Sequence, residues 1–160
     1  MRVVRAKGLI AQAAIGFGIA GSVVLADYLT KRWAEANLPG KVIVVIPGVL
    51  SLVFEENSGA AFSMFQNAGV VLGTAAIVAI GAVGIALFRK RRHPLEVVAF
   101  GLIIGGAAGN LIDRIVRGPG LLDGKVVDWV QLLIIPTFNV ADSAITVAIT
   151  LLLIGSLRAK

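Results

Sequence analysis

The segment at residues 138–155, FNVADSAITVAITLLLIG, is apolar enough to cross a bilayer, yet its first turns contain Asn139 and Asp142. A carboxylate at membrane depth costs about 2.5–3.5 kcal/mol even on the mildest scales, so a chain that keeps one is expected to use it. The same N-x-x-D spacing recurs at Asn110 and Asp113, near the end of another apolar run. Residues three apart lie on one face of a helix, so each pair should present its polar groups together.

The chemistry open to these residues is carboxylate chemistry. The only histidine, His93, lies in the basic cluster RKRRH, away from the polar residues, and this excludes a Ser-His-Asp arrangement with them. Ser63 or Ser143 could act as a nucleophile only with Lys31 as its base, and Asp27, four residues before Lys31, is expected to neutralise that lysine. Two carboxylates held close together can instead share a proton, activate water and protonate a carbonyl oxygen.

Composition excludes several other kinds of site. The chain has no cysteine, which excludes disulfides, thiolate metal sites and a cysteine nucleophile. It also lacks the H-E-x-x-H pattern of zinc peptidases, so no metal and no other cofactor is expected. The net charge of +6 would suit nucleic acid in a soluble protein, but here the basic residues flank apolar runs, which favours a membrane protein that binds no nucleic acid.

The polar residues are expected to be held in place by membrane spans. The 160 residues are 58% hydrophobic, with a mean hydropathy of +0.93. Four apolar runs, at about residues 8–28, 68–88, 95–113 and 138–157, are long enough to cross the hydrocarbon core. The first run, with its basic start, also resembles a secretory signal peptide, but its length and the spans that follow favour a retained helix.

The predicted fold is an all-α membrane protein, a single domain over residues 1–160 with four transmembrane helices. Within the external loop at residues 29–67, the Val- and Ile-rich stretch 40–56 is interrupted by Pro-Gly, which favours two short strands in a small extracytoplasmic β-sheet. Residues 125–136 are predicted to form a surface loop between spans three and four, either extended or briefly amphipathic.

The distribution of basic residues predicts the orientation. Nine of the 15 Lys and Arg residues fall in the two termini and the RKRRH loop, which places both termini in the cytoplasm. Four separate segments then bring their polar residues to the outer face. These residues are Asp27, Lys31, Asn57, Asn110, Asp113, Arg114, Asn139 and Asp142.

Three interpretations of this convergence remain open. Polar groups in spans often only hold helices together through hydrogen bonds, as in a scaffold protein. Acids in spans are also typical of a small proton-coupled membrane transporter, which would need polar residues continuing towards the cytoplasm. Convergence from four segments at one face favours a catalytic site.

Five motifs, in this order and with this span layout, resemble a known family. They are D-x-x-T-K at the end of span one, NSGAAFS, GGAAGNLIDR, VVDW and FNVADSAI. The chain resembles bacterial lipoprotein signal peptidase, also called signal peptidase II. The resemblance implies a monomeric aspartic endopeptidase of the bacterial cytoplasmic (inner) membrane, with its active site at the outer face among membrane lipids. It further implies cleavage of diacylglyceryl-modified prolipoproteins before the lipidated cysteine, removal of the signal peptide, and inhibition by globomycin.

The resemblance also assigns roles to residues. It implies that Asp128 of VVDW and Asp142 of FNVAD form the catalytic pair. Asn57, Asn110, Arg114 and Asn139 match substrate-binding positions, and Asp27, Lys31 and Asp113 match supporting positions.

Two features of the sequence bear on that assignment. Asp113 is the alternative second carboxylate, but Arg114 is expected to engage it, whereas the loop of Asp128 can fold back over the membrane edge. The link at residues 117–125 is longer, and the stretch at residues 128–142 shorter, than the family pattern suggests, so the loop geometry remains open.

Overall fold

The computed structural model describes residues 2–59 and 68–158. Residues 60–63 of the NSGAAFS motif, Ser63 among them, lie outside the described residues. The described elements are helices α1 (Arg2–Asn37), α2 (Ala68–Arg89), α3 (Pro94–Val116) and α4 (Val140–Arg158), with strands β1 (Ile43–Ile46), β2 (Leu50–Asn57) and β3 (Val126–Leu132).

All four helices are long and apolar enough to cross a membrane, which confirms the four predicted spans. Their outward faces carry large exposed apolar side chains, such as Ile15 on α1, Val78 on α2 and Leu153 on α4. A helix that is apolar outside as well as inside is typical of a membrane bundle.

The sequence predicted that the first span ends at about residue 28, close to Asp27, but helix α1 continues to Asn37. It has 36 residues, about 54 Å at 1.5 Å per residue, and therefore extends beyond a core about 30 Å thick. The charged residues do not end the helix because Asp27 and Lys31 pair along its face. After Asp27 the chain has no proline or glycine until Pro39 and Gly40.

Helix α3 is the central helix, packed against the other three. It starts with Pro94 in its first turn, and the side chain of His93 caps it by accepting a hydrogen bond from the Leu95 N–H. Two glycines allow close contact: a Cβ on Gly105 would lie 2.8 Å from the Ala20 carbonyl oxygen of α1, and one on Gly106 would lie 2.5 Å from the Ala141 carbonyl oxygen of α4.

The predicted sheet has three strands rather than two, all antiparallel, in the order β1-β2-β3. The third strand comes from the segment 125–136, so the extended interpretation of that segment is confirmed. In this register Asp128 lies opposite Glu55, two residues from Asn57.

The short stretch at residues 128–142 folds as a tight return. The N–H and C=O of Phe138 both bond to Val130, and the next residues begin α4. The sequence left the geometry of this short stretch open. In the structure it forms the return that connects β3 to the first turn of α4. The T-shaped pair Trp33–Trp129, with ring centroids 6.0 Å apart, fixes β3 against the end of α1.

Candidate active site

A cavity of about 720 Å³ lies where strands β2 and β3 meet helices α2, α3 and α4. The apolar part of its wall includes Leu72, Ala75, Ala76, Ala79, Ile103 and Ile145. The polar part includes Asn57, Asn110, Arg114, Thr137, Asp128 and Asp142. The sequence predicted nine site residues, of which Asp27, Lys31 and Asp113 were expected to support the site. The other six were expected to surround a substrate, and five of them line this cavity.

Asp128 is buried in β3, with 2% of its surface exposed. Its two oxygens accept hydrogen bonds from the Asn57 Nδ2 at 3.1 Å and from the Asn139 Nδ2 at 2.7 Å. Burial raises the pKa of Asp128 to about 6; the nearby charge of Asp142 adds to the rise, and the two amide donors oppose it. Asp128 therefore carries a proton in mildly acidic solution, where an ordinary aspartate does not.

Asp142 lies in the first turn of α4 and forms a reciprocal cap with Asn139. The Asn139 backbone N–H donates to the Asp142 carboxylate at 3.2 Å, and the Asp142 backbone N–H donates to Asn139 Oδ1 at 3.0 Å. This is a capping box built from Asn and Asp, and it explains the N-x-x-D spacing in this helix. The other Asp142 oxygen accepts a hydrogen bond from the Asn110 Nδ2 at 2.8 Å.

Asn139, the one predicted substrate-binding residue that does not line the cavity, hydrogen-bonds to both carboxylates. Its backbone N–H contacts Asp142, while its fully buried side chain donates to Asp128. The same Nδ2 also lies 3.1 Å from Asn110 Oδ1. The two aspartates, from a strand and from a helix, are therefore held around one residue and face one cavity.

Lys31 lies beneath this pair, fully buried. The predicted pair with Asp27 is confirmed, with the Lys31 Nζ 2.7 Å from the Asp27 carboxylate. The same nitrogen lies 2.8 Å from Asp113 and 3.0 Å from Asn110 Oδ1. Its three protons all have acceptors, so Lys31 is not a free base for Ser143, whose hydroxyl donates to the Asn139 carbonyl.

The prediction that Arg114 engages Asp113 was wrong. Arg114 adjoins Asp113 in sequence, so it points elsewhere on the helix; it lines the cavity, with its Nη1 3.5 Å from the Gly124 carbonyl oxygen. Asp113 is instead bound by Arg117 Nε at 2.7 Å, by Lys31, and by the Val127 N–H at 3.3 Å. With these three donors and no place in the cavity wall, Asp113 is the weaker candidate for a catalytic carboxylate.

The sequence reasoning missed Arg117 and Glu35. Arg117 follows Asp113 by four residues, the spacing at which helical side chains meet, so a signal for that pair was available. Nothing in the sequence pointed to Glu35 of α1, which pairs with the same arginine across the bundle.

The arrangement suits acid–base chemistry on a bound substrate. It combines two hydrogen-bonded carboxyl groups, one with a raised pKa, with the guanidinium of Arg114 in the same cavity. Among the described side chains, no three His, Asp or Glu residues converge in a way that could hold a metal ion.

Comparison with known proteins identifies the family. The family model described as signal peptidase (SPase) II matches residues 19–158. Two curated proteins named lipoprotein signal peptidase are similar to the chain: that of Rhodococcus jostii is 44% identical over 143 residues, which is 88% of this chain and 71% of that protein. That of Chlorobium phaeovibrioides is 41% identical over 144 residues, 83% of this chain and 84% of that protein.

A solved structure agrees with this assignment. It is a bacterial membrane enzyme determined at 1.9 Å by the in meso method, 29% identical to this chain, with a TM-score of 0.79 over 91% of this chain and 94% of that one. The polar cavity beside four spanning helices and these similarities lead to one conclusion. The chain belongs to the signal peptidase II family of aspartic peptidases, multi-pass membrane enzymes that remove signal peptides from prolipoproteins.

Proposed function

We propose that this peptidase cleaves diacylglyceryl-modified prolipoproteins immediately before the lipidated cysteine, with Asp128 and Asp142 as its catalytic pair. One observation carries the proposal: both carboxylates line the same cavity and both hydrogen-bond to Asn139. Two carboxyl groups held this way can divide the roles of acid and base between them.

The raised pKa of Asp128 assigns it the acid role in this mechanism. Asp128, protonated, donates a hydrogen bond to the scissile carbonyl oxygen, while the Asp142 carboxylate takes a proton from the attacking water. The tetrahedral intermediate collapses as the C–N bond breaks, and the proton held by Asp142 passes to the leaving amine. Two peptides result, and no acyl-enzyme forms.

The two parts of the cavity wall suit a lipidated substrate. The alanines and leucine of α2 form an apolar surface open to acyl chains and an apolar signal segment. On the polar side, the Arg114 guanidinium and the Asn57 amide can bind backbone carbonyls or ester oxygens near the cysteine. Asn110, which donates to Asp142, orients that carboxylate.

The proposed location is the bacterial cytoplasmic membrane, with both termini in the cytoplasm and the cavity at the outer face. The bias of Lys and Arg towards the termini and the RKRRH loop supports this orientation. The substrate would then enter sideways from the outer leaflet, where its lipidated cysteine lies.

The substrate class is tested with purified protein and two forms of one precursor, with and without the diacylglyceryl group. We expect cleavage of the modified form only, at the bond before cysteine as located by mass spectrometry, and inhibition by globomycin. Equal cleavage of the unmodified form would show that the lipid is not recognised.

The catalytic pair is tested by replacing each carboxyl group with an amide of nearly the same shape. Asp128→Asn and Asp142→Asn should each lower kcat/KM by about 1,000-fold or more, with normal yield and thermal stability. Asp123→Asn is the matched control, because Asp123 is exposed in a loop, where it accepts the Gly120 N–H. Retained cleavage by either of the first two variants would refute the pair.

A further inference from the structure

The buried ammonium group of Lys31 is the centre of a network that reaches both proposed catalytic aspartates. Its three acceptors are Asp27 at 2.7 Å, Asp113 at 2.8 Å and Asn110 at 3.0 Å. Asp27, Lys31 and Asp113 are each at most 4% exposed. Burying this many charges is expensive, and replacing such a group with apolar residues often does not lower stability, so stability alone does not explain it.

The two carboxylates bound by Lys31 each hold a residue next to one member of the pair. Asp27 accepts the backbone N–H of Ala141, the residue before Asp142, at 3.0 Å. Asp113 accepts the backbone N–H of Val127, the residue before Asp128, at 3.3 Å. One ammonium group thus ties together the strand and the helix that carry the pair.

The third acceptor of Lys31, Asn110, contacts the pair directly. An ammonium group can only donate, so Asn110 must turn its oxygen towards Lys31, and its NH₂ group then faces Asp142 at 2.8 Å. Together with the Asn139 Nδ2, 3.1 Å from the same oxygen, the ammonium group fixes this amide in the orientation that donates to Asp142.

We propose that Lys31 is a positioning residue for the catalytic pair, which it holds through its three acceptors and whose working pH range its charge moves downwards. The inference rests on the proposed roles of Asp128 and Asp142.

The charged groups around the pair come from most of the elements that pack there. They are Asp27 and Lys31 of α1, Glu55 and Glu56 of β2, Asp113 and Arg114 of α3, Asp128 of β3 and Asp142 of α4. The positive charge of Lys31 lowers the pKa of Asp128, against the larger effect of burial. Removing that charge should therefore raise the pKa of Asp128 further.

The test is the pH dependence of cleavage of a lipidated precursor by Lys31→Met. We expect kcat to fall about 100-fold with KM changed by no more than about threefold, because the pair is misplaced while the binding surface remains. The pH profile of kcat/KM should move upwards by about one unit, the effect of one charge across a partly buried site. An unshifted profile in the folded variant would overturn the inference.

Two further variants separate positioning from folding. Lys31→Met combined with Asp27→Asn removes both charges of one pair, which keeps the variant testable if the single change prevents folding; it should show the same loss of kcat and a smaller upward shift. Lys31→Arg keeps the charge and should keep the parent profile. A double variant that retains the parent kcat and profile would contradict the inference.

The matched control is Lys125→Met, which removes the same charge from an exposed pair with Glu56 at 3.0 Å. Solvent screens that pair, so the profile should not move. Failure of the catalytic pair and failure of the Lys31 role give different results. An active Asp128→Asn enzyme refutes the catalytic pair itself. Inactive aspartate variants together with an unshifted pH profile of Lys31→Met refute only the role of Lys31.

Discussion

The two ends of the helix bundle differ in the kind of polar group that they bury. At the sheet end, where the β-sheet lies, the buried polar residues are mostly charged. At the turn end, where residues 90–93 join α2 to α3, the buried polar residue is the neutral Gln12, at 6% exposure. Its amide donates to the carbonyls of Leu87 and Lys90 at 2.6 and 2.9 Å, and its oxygen accepts the Arg92 N–H at 2.9 Å.

This contrast indicates that one end is structural and the other functional. A buried amide satisfied by backbone groups is cheap and fixes a turn, whereas buried charges cost several kcal/mol each and need each other to persist. At the turn end, by contrast, the charged residues Arg89, Lys90 and Arg91 are all exposed. Buried charges concentrated at one end of a bundle are typical of a functional site rather than of helix packing.

The comparison also bears on the transporter interpretation. Within residues 2–59 and 68–158, the buried polar residues other than Gln12 all belong to the sheet end. Between the ends the core consists of apolar residues such as Ala20 and Ile104. The described part of the chain therefore offers no line of buried polar groups from one end to the other, as a transporter would need.

After the two carboxylates themselves, the Asn139 amide at the sheet end is expected to have the greatest influence on activity. Asn139→Ala should lower kcat/KM about 100-fold because Asp128 loses its side-chain donor at 2.7 Å, while the backbone N–H bond to Asp142 remains. It should also cost about 1 kcal/mol in stability through the lost helix cap.

Asn139→Ser separates these two effects. The serine hydroxyl can accept the Asp142 N–H and restore the cap, but it is too short to reach Asp128, so stability should recover and activity should not. Recovery of full activity in the serine variant would show that the bond to Asp128 is unimportant.

An intermediate effect is expected from pH. Because burial raises the pKa of Asp128 to about 6, kcat/KM should fall up to about tenfold per pH unit above that value as the acid loses its proton. Stability should follow the same group: its folded pKa exceeds the unfolded value of about 3.9, so the folded state binds more protons between the two values and stability falls as pH rises through that window.

Asp128→Asn sharpens this prediction because it removes the titrating group. Thermal melts of the purified protein should show the decrease in Tm between about pH 4 and pH 6 in the parent but not in the variant. An identical pH dependence of Tm in both proteins would contradict the raised pKa.

The smallest effect on activity is expected at the turn end. Gln12→Leu removes an amide from three backbone partners and should lower the free energy of unfolding by about 1–3 kcal/mol. Below its Tm, the variant should cleave a lipidated precursor within about twofold of the parent rate, with an unchanged pH profile. A tenfold loss in folded protein would show that the two ends are coupled.

Local sequence was enough to predict the spans and the end of the bundle at which the polar residues meet. Runs of about 20 apolar residues have one stable solution in a bilayer, since a helix satisfies its own backbone hydrogen bonds. The pair Asp27–Lys31 followed from helical spacing for the same local reason. The N-x-x-D spacing at Asn139 was visible too, although the capping box it forms was recognised only in the structure.

Which groups meet across the bundle depends on tertiary contacts and was not visible in the sequence. The third strand carries Asp128 next to Asn57, and the return at Phe138 brings Asn139 between the two carboxylates. The partners of Asp113 were likewise decided by distant residues of α1 and β3 as well as by its own helix. Spacing along one helix fixes neighbours within it, whereas contacts between elements depend on register and on close packing at glycines, which local sequence does not encode.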